Sequence, residues 1–147
     1  MSSLTYNTTR IIKAPKSKVF EAWTTKDILE KWFPPQADDW SSEIQLEPRL
    51  GGSYLFAMAS PEGNFTVRGE YTRFEPTDRL EFTWRWDDYT PEGNQMVVSV
   101  EFFDHPDGTE VRLTHDHFID EQAAKDHEDG WGKVFHRLTI YFNPMEE

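Results

Sequence analysis

The segment Asp78-Arg79-Leu80-Glu81-Phe82-Thr83-Trp84-Arg85-Trp86 alternates between large apolar and polar side chains. Successive side chains of a strand point to opposite faces, so Leu80, Phe82, Trp84 and Trp86 form one wall, backed by Glu81, Thr83 and Arg85. Two tryptophans and a phenylalanine are more bulk than a thin sandwich core needs. They suit a curved sheet that encloses space, and enclosed apolar space is where small molecules bind.

The same alternation recurs along the chain between Gly/Pro/Asn/Asp turns, as in an antiparallel meander. Strands are expected over Leu4 to Ile12, Ser42 to Glu47, Ser53 to Ala59, Phe65 to Phe74, Gln95 to Asp104 and Thr109 to Phe118. Parity assigns their inner faces: Tyr54, Phe56 and Met58; Phe65, Val67, Gly69 and Tyr71; Met96, Val98, Val100 and Phe102; Val111, Leu113, His115 and His117. Gly69 is placed where a bend or bulge would curve the sheet.

Helical spacing appears in three places. Ala14-Pro15 opens a first helix carrying Val19, Phe20 and Trp23, with proline expected at the first helical position. Thr24-Thr25 offers hydroxyl caps for a second, Lys26 to Phe33, which Pro34-Pro35 ends. Asp120 is the expected N-cap of a long final helix reaching about Phe142, with Ala124, His127, Trp131, Phe135, Leu138 and Phe142 on one face. Gly130 interrupts it at a cost of about 1 kcal/mol relative to alanine, which close packing or a bend would explain.

Composition excludes several functions. The chain has 147 residues, a length that suits a single domain over 1–147, and its net charge of −12 is offset by no basic cluster. Nucleic acid and anionic membranes are therefore poor partners. With no cysteine there is no disulfide, thiol chemistry or cysteine-based zinc site. The first residues have neither a basic nor an apolar signal segment, and no apolar run approaches the ~20 residues of a membrane-spanning helix, so a cytoplasmic location is expected.

Several motifs together carry a family resemblance. Ile12-Lys13-Ala14-Pro15-Lys16-Ser17-Lys18-Val19-Phe20-Glu21-Ala22-Trp23-Thr24 resembles the opening of the activator of heat-shock-protein-ninety ATPase-like family, and Ile28-Leu29-Glu30-Lys31-Trp32-Phe33-Pro34 its second helix. Leu50-Gly51-Gly52-Ser53-Tyr54, Leu80-Glu81-Phe82-Thr83-Trp84, Val111-Arg112-Leu113-Thr114-His115 and Gly130-Trp131 resemble its later motifs. The resemblance implies an α+β, START-like (Bet v-type) helix-grip fold. In it, a curved antiparallel sheet of six to seven strands carries two short helices and a long C-terminal helix packed across it. The wider superfamily includes lipid and hormone carriers, aromatic cyclases, antibiotic-sequestering proteins and chaperone co-activators, so the fold does not select an activity.

Phe56, Tyr71, Phe82, Trp84, Trp86 and Trp131 are the expected cavity wall, with Trp40 as a lid residue in the loop after the short helices. Trp23, Trp32, Phe20 and Phe135 read as core, since aromatics dominate core packing. Phe135 is also kept among residues expected to touch a ligand, as is Val98. His115 and His117, at i and i+2, would both point inward on a regular strand, and His127 lies on the apolar face of the final helix. Such histidines could be structural, orient a ligand's polar group, or act as acid or base. Their spacing matches no zinc signature, and no metal or cofactor is expected. The acidic clusters at Asp87-Asp88, Asp104 to Asp107 and Asp126 to Asp129 lack the alternation of calcium loops and read as solvated surface. No serine has a nucleophile-elbow context, and Gly51-Gly52 reads as a turn.

Three functions remain. The leading expectation is a binding module for a small apolar or aromatic molecule, held between sheet and final helix. The second is a cyclase- or hydratase-type enzyme using His115 or His117 with a tyrosine such as Tyr71. The third is a chaperone co-activator or stress-related interaction protein, weakened because the eukaryotic namesakes carry an additional chaperone-engaging domain not found in these residues. A homodimer is left open.

Overall fold

The computed structural model describes residues 4–33, 41–61, 63–87 and 96–143. The element order is β1 (Tyr6–Ile12), α1 (Lys16–Thr24), α2 (Lys26–Trp32), β2 (Ser41–Leu46), β3 (Ser53–Ser60), β4 (Gly63–Glu75), β5 (Arg79–Trp86), β6 (Met96–His105), β7 (Gly108–Asp116) and α3 (Glu121–Phe142). The strands form one seven-stranded antiparallel sheet in the order β1-β7-β6-β5-β4-β3-β2. This is the α+β helix-grip fold: a meander whose first strand pairs with its last, two short helices, and a long terminal helix.

The parity assignments hold across most of the sheet. Leu80, Phe82 and Trp84 on β5, Met96 through Phe102 at alternate positions on β6, and Val111, Leu113 and His115 on β7 are all buried. Register aligns them in cross-strand rows, so that Phe82 pairs with Val98 and Val98 with His115. On α3, Trp131, Val134, Phe135 and Leu138 are buried against this face.

Curvature is concentrated where β4 crosses β5. A Cβ built on Gly69 would lie 2.0 Å from the carbonyl oxygen of Thr83, so the two backbones meet too closely for any side chain there. Thr83 becomes a pivot: its hydroxyl accepts from the Glu70 N–H at 3.0 Å, and its carbonyl accepts from the Tyr54 hydroxyl. The β4–β5 register then shifts between Tyr71 and Arg73. A one-residue shift exchanges the faces of a strand. Phe74 consequently packs inward, edge-on to Phe20 and Tyr71.

Local chemistry departs from expectation at the helix ends. Pro15 sits at the N-cap of α1 rather than inside it. Thr25 caps α2 by backbone only, while the Thr24 hydroxyl donates to the Phe20 carbonyl at 3.0 Å. Asp120 caps α3 as expected, its carboxylate accepting from the Ala123 N–H at 2.8 Å. Gly130 is not a close-packing glycine: a Cβ there meets nothing within 4 Å, and the same holds for Gly132. Edge strand β2 is tied to α2 through Glu30, whose carboxylate accepts from the Ile44 N–H at 3.1 Å.

Candidate functional site

Beneath α3 the aromatic side chains converge rather than stand apart. Trp23, Leu29, Phe33, Tyr54, Phe56, Tyr71, Phe82, Trp84 and Trp131 enclose a cavity of about 10 Å³. That volume suits one water molecule at most. The expected open hollow is thus closed by its own walls. Phe33 packs among these rings, with ring centroids 4.7 Å from Phe56, 6.4 Å from Trp84 and 6.3 Å from Trp131. Trp84 and Trp131 lie 5.3 Å apart, and Trp23 stacks on Trp131 at 6.3 Å. A larger hollow, about 760 Å³, lies on the outer face of the bent β2–β5 region and is lined by Gln45, Glu47, Arg68, Glu70 and Arg85 among others. It is an open concavity walled by polar and apolar groups in similar measure.

The indole N–H groups divide sharply. Of the described tryptophans, Trp32 donates to the Ala22 carbonyl at 3.1 Å, Trp86 to His127 Nε2 at 2.8 Å and Trp131 to His115 Nδ1 at 3.0 Å. The Nε1–H groups of Trp23 and Trp84 are buried with no acceptor. Both of these rings border the cavity. A buried donor left unpaired costs about 1–3 kcal/mol, a penalty that phenylalanine at the same position would avoid.

The two inner histidines form a second cluster beside this wall, with ring centroids 4.8 Å apart. An indole N–H only donates, so His115 Nδ1 and His127 Nε2 must accept. His127 Nδ1 lies 2.7 Å from the Ala123 carbonyl and therefore carries that ring's proton. In neutral His115 the proton sits on Nε2, which is buried without a partner. Burial, and secondarily His127 nearby, hold His115 well below its ordinary pKa. Burial also lowers His127, partly opposed by its bond to the Ala123 carbonyl and by Asp126. His115 is thus set to donate a hydrogen bond from Nε2. Acting as a base at Nδ1 would require giving up the Trp131 bond. Burial raises the Tyr71 hydroxyl, which belongs to a different group of rings, with Tyr54, Phe74 and Phe82.

The expected residues fall into distinct places. Phe56, Tyr71, Phe82, Trp84 and Trp131 border the cavity. Val98 and Phe135 are buried in the surrounding core. Trp86 and His127 are half-buried partners of one another at its flank, and His115 is fully buried behind Trp84. His117 is a correction: β7 ends at Asp116, His117 adopts φ 68°, and its side chain turns to solvent. Phe118 takes the inward place, stacking on His115 at 4.3 Å. Trp40 lies outside the described residues. Trp23, Leu29, Phe33 and Tyr54 were not expected to border the cavity. Tyr54 shares parity with Phe56, and Phe33 ends the apolar stripe of α2, so both carried a usable signal; Phe118 depends on the turn at His117 and carried none.

A family profile described as Activator of Hsp90 ATPase homolog 1-like protein matches residues 13–143. The chain belongs to this family. Solved structures agree with it in fold. A Chromobacterium violaceum protein is 22% identical with a TM-score of 0.85, covering 95% of this chain and 97% of its own. A Nitrosomonas europaea protein is 26% identical with a TM-score of 0.75, covering 92% and 91%. An AHSA1-like protein from Aeromonas hydrophila is 24% identical with a TM-score of 0.77, covering 93% and 90%. Comparison with curated proteins gives no match. Among the described residues, no helix is long and apolar enough to cross a membrane and no cluster of three or more His, Asp or Glu is placed to hold a metal.

Proposed function

We propose that this member of the Activator of Hsp90 ATPase homolog 1-like family is a cytoplasmic binding protein for a small apolar or aromatic molecule. The guest occupies the space beneath α3 bordered by Phe56, Phe82, Trp84 and Trp131, and Phe33 is the side chain it displaces. The observation that carries this reading is the apolar space walled by aromatic rings, two of which, Trp23 and Trp84, carry buried indole N–H groups without an acceptor. Phe33 is suited to yield because it caps α2, held there by its backbone N–H on the Leu29 carbonyl at 2.8 Å, and its ring can turn without breaking that bond. His115 lies behind the wall and braces it by accepting from the Trp131 indole N–H.

The test is a titration with naphthalene, followed by indole N–H resonances in a nitrogen-15 correlation spectrum. Binding shifts the Trp23, Trp84 and Trp131 signals together, while Trp32, bonded to a main-chain carbonyl, moves least. Unmoved signals up to the solubility limit, in both the native chain and Phe33→Ala, would refute the proposal.

A further inference from the structure

We infer that a proton-sensitive latch holds the first turns of α3 to the sheet: protonation of His127 breaks its bond to Trp86 and lets residues 121–130 detach while the rest of the helix stays bound. The device does not depend on the guest site proposed above. His127 Nε2 accepts from the Trp86 indole N–H at 2.8 Å, and the proton on its Nδ1 is already given to the Ala123 carbonyl at 2.7 Å. A second proton must therefore land on Nε2, where it faces the indole N–H, a group that only donates. The bond is lost and two donors are opposed. Little else keeps these turns in place. Between residues 121 and 130 only Ala123, Ala124, His127 and Gly130 are half-buried, whereas Trp131, Val134, Phe135 and Leu138 are buried in the core. Gly130 and Gly132 lie at the join. A Cβ at either would meet nothing within 4 Å, so neither serves close packing and both loosen the helix between its two halves.

The surroundings of His127 disfavour a charged ring while the latch is closed. From β5 it meets the neutral Trp86, with ring centroids 6.0 Å apart; from β7 it meets His115 at 4.8 Å, and from the turn beyond, Phe118 at 5.0 Å. His115 is itself a base, so a charge on either ring opposes a charge on the other. Among the described residues, the carboxylate that acts on His127 is Asp126 of its own helix, which travels with the ring when the turns detach. Lys125, Glu128 and Asp129 on that helix are exposed. Asp87 after β5 is engaged by Arg68, and Asp116 at the end of β7 by Thr5. Burial thus lowers the proton affinity of the latched ring, and release into water returns it to the ordinary value of about 6.5. The released form binds the proton more tightly, so its share rises by up to about tenfold per pH unit below that value.

The experiment follows backbone amide exchange and indole N–H resonances at pH 7.5 and 5.5, in the native chain and in His127→Gln. Glutamine offers Trp86 an acceptor that does not titrate. In the native chain the amides of residues 123–130, corrected for intrinsic rates, exchange about threefold or more faster at the lower pH, and the Trp86 indole resonance moves upfield with the titration. At both pH values these amides exchange at least about a hundredfold faster than those of residues 134–138, so they open without unfolding of the whole domain. His127→Gln shows at most half the native acceleration, and its Trp86 resonance stays in place. If that variant folds poorly, Trp86→Phe replaces it and frees the same amides at pH 7.5 by about threefold or more, since only the donor is lost. A smaller acceleration in the native chain, an unmoved Trp86 resonance, exchange of residues 123–130 in step with 134–138, more than half the acceleration in His127→Gln, or unaltered exchange in Trp86→Phe would each overturn the inference.

Discussion

Replacing Phe33 by alanine separates a plug from a structural ring. Phe33 is 4% exposed and touches Trp32, Phe56, Trp84 and Trp131. Deleting its ring opens about 100 Å³, and at roughly 24 cal/mol per Å³ an uncollapsed cavity costs about 2.4 kcal/mol. Lost transfer energy adds about 2 kcal/mol, for a total near the 3–5 kcal/mol typical of buried Phe→Ala changes. The space left is lined by rings and stays dry, as engineered apolar cavities of about 150 Å³ do while accepting benzene. Urea denaturation should therefore show a loss of about 4 kcal/mol, and toluene at ten times its dissociation constant should return about 1.4 kcal/mol, raising Tm by roughly 3–6 °C. A loss under 1 kcal/mol would mean that the ring is not held as described. A full loss with no toluene effect would mean that the walls collapse inward, and that the space beneath α3 does not persist once emptied.

The two glycine environments predict opposite outcomes. Gly69→Ala drives a methyl onto the Thr83 carbonyl and should cost about 3 kcal/mol or more by denaturation, or prevent folding. Gly130→Ala meets open space in a helix interior and should stabilise by about 1 kcal/mol in the same assay. The buried histidines set an acid limit: with folded pKa values lowered, the unfolded chain binds more protons below its own pKa of about 6.5. Their contribution is complete above that value and falls by about 1.4 kcal/mol per pH unit for each histidine as pH drops toward the lowered folded values. Urea midpoints at pH 7.5, 6.5 and 5.5 should show it, with a shallower slope in His127→Gln; a flat profile would contradict the neutral pair. Asp87 and Asp116, themselves lowered below 3.8, enter only at more acid pH.

Strand alternation made most of the sheet readable. Leu80, Phe82 and Trp84 reveal their face because each polar neighbour points away, and Asp120 reveals the start of α3 because its carboxylate has one obvious use. His117 defeated the same rule. Parity assumes an unbroken strand, and the left-handed turn there is set by Phe118 packing on His115, a contact between neighbours that alternation does not encode. The shift after Tyr71 likewise brought Phe74 inward from what parity reads as the outer face. The closing of the cavity was beyond pattern altogether: whether Phe33 packs among the other rings or stands clear depends on side-chain volumes and on how α2 meets β3. Hydrogen-bond partners of the tryptophans were equally hidden, since sequence shows the rings and not which nitrogens find acceptors.

Helix α3 has two unequal halves. Every fully buried residue it offers lies between Trp131 and Leu138, and its first ten residues are exposed or half-buried up to Gly130. The two glycines at the join weaken helical continuity where the anchoring begins. The leading turns can therefore unwind as a separate cooperative unit while the trailing turns keep their grip on the sheet. Deuterium uptake along this helix should show a step at that join, with fast-exchanging amides before it and amides after it that exchange only on global unfolding.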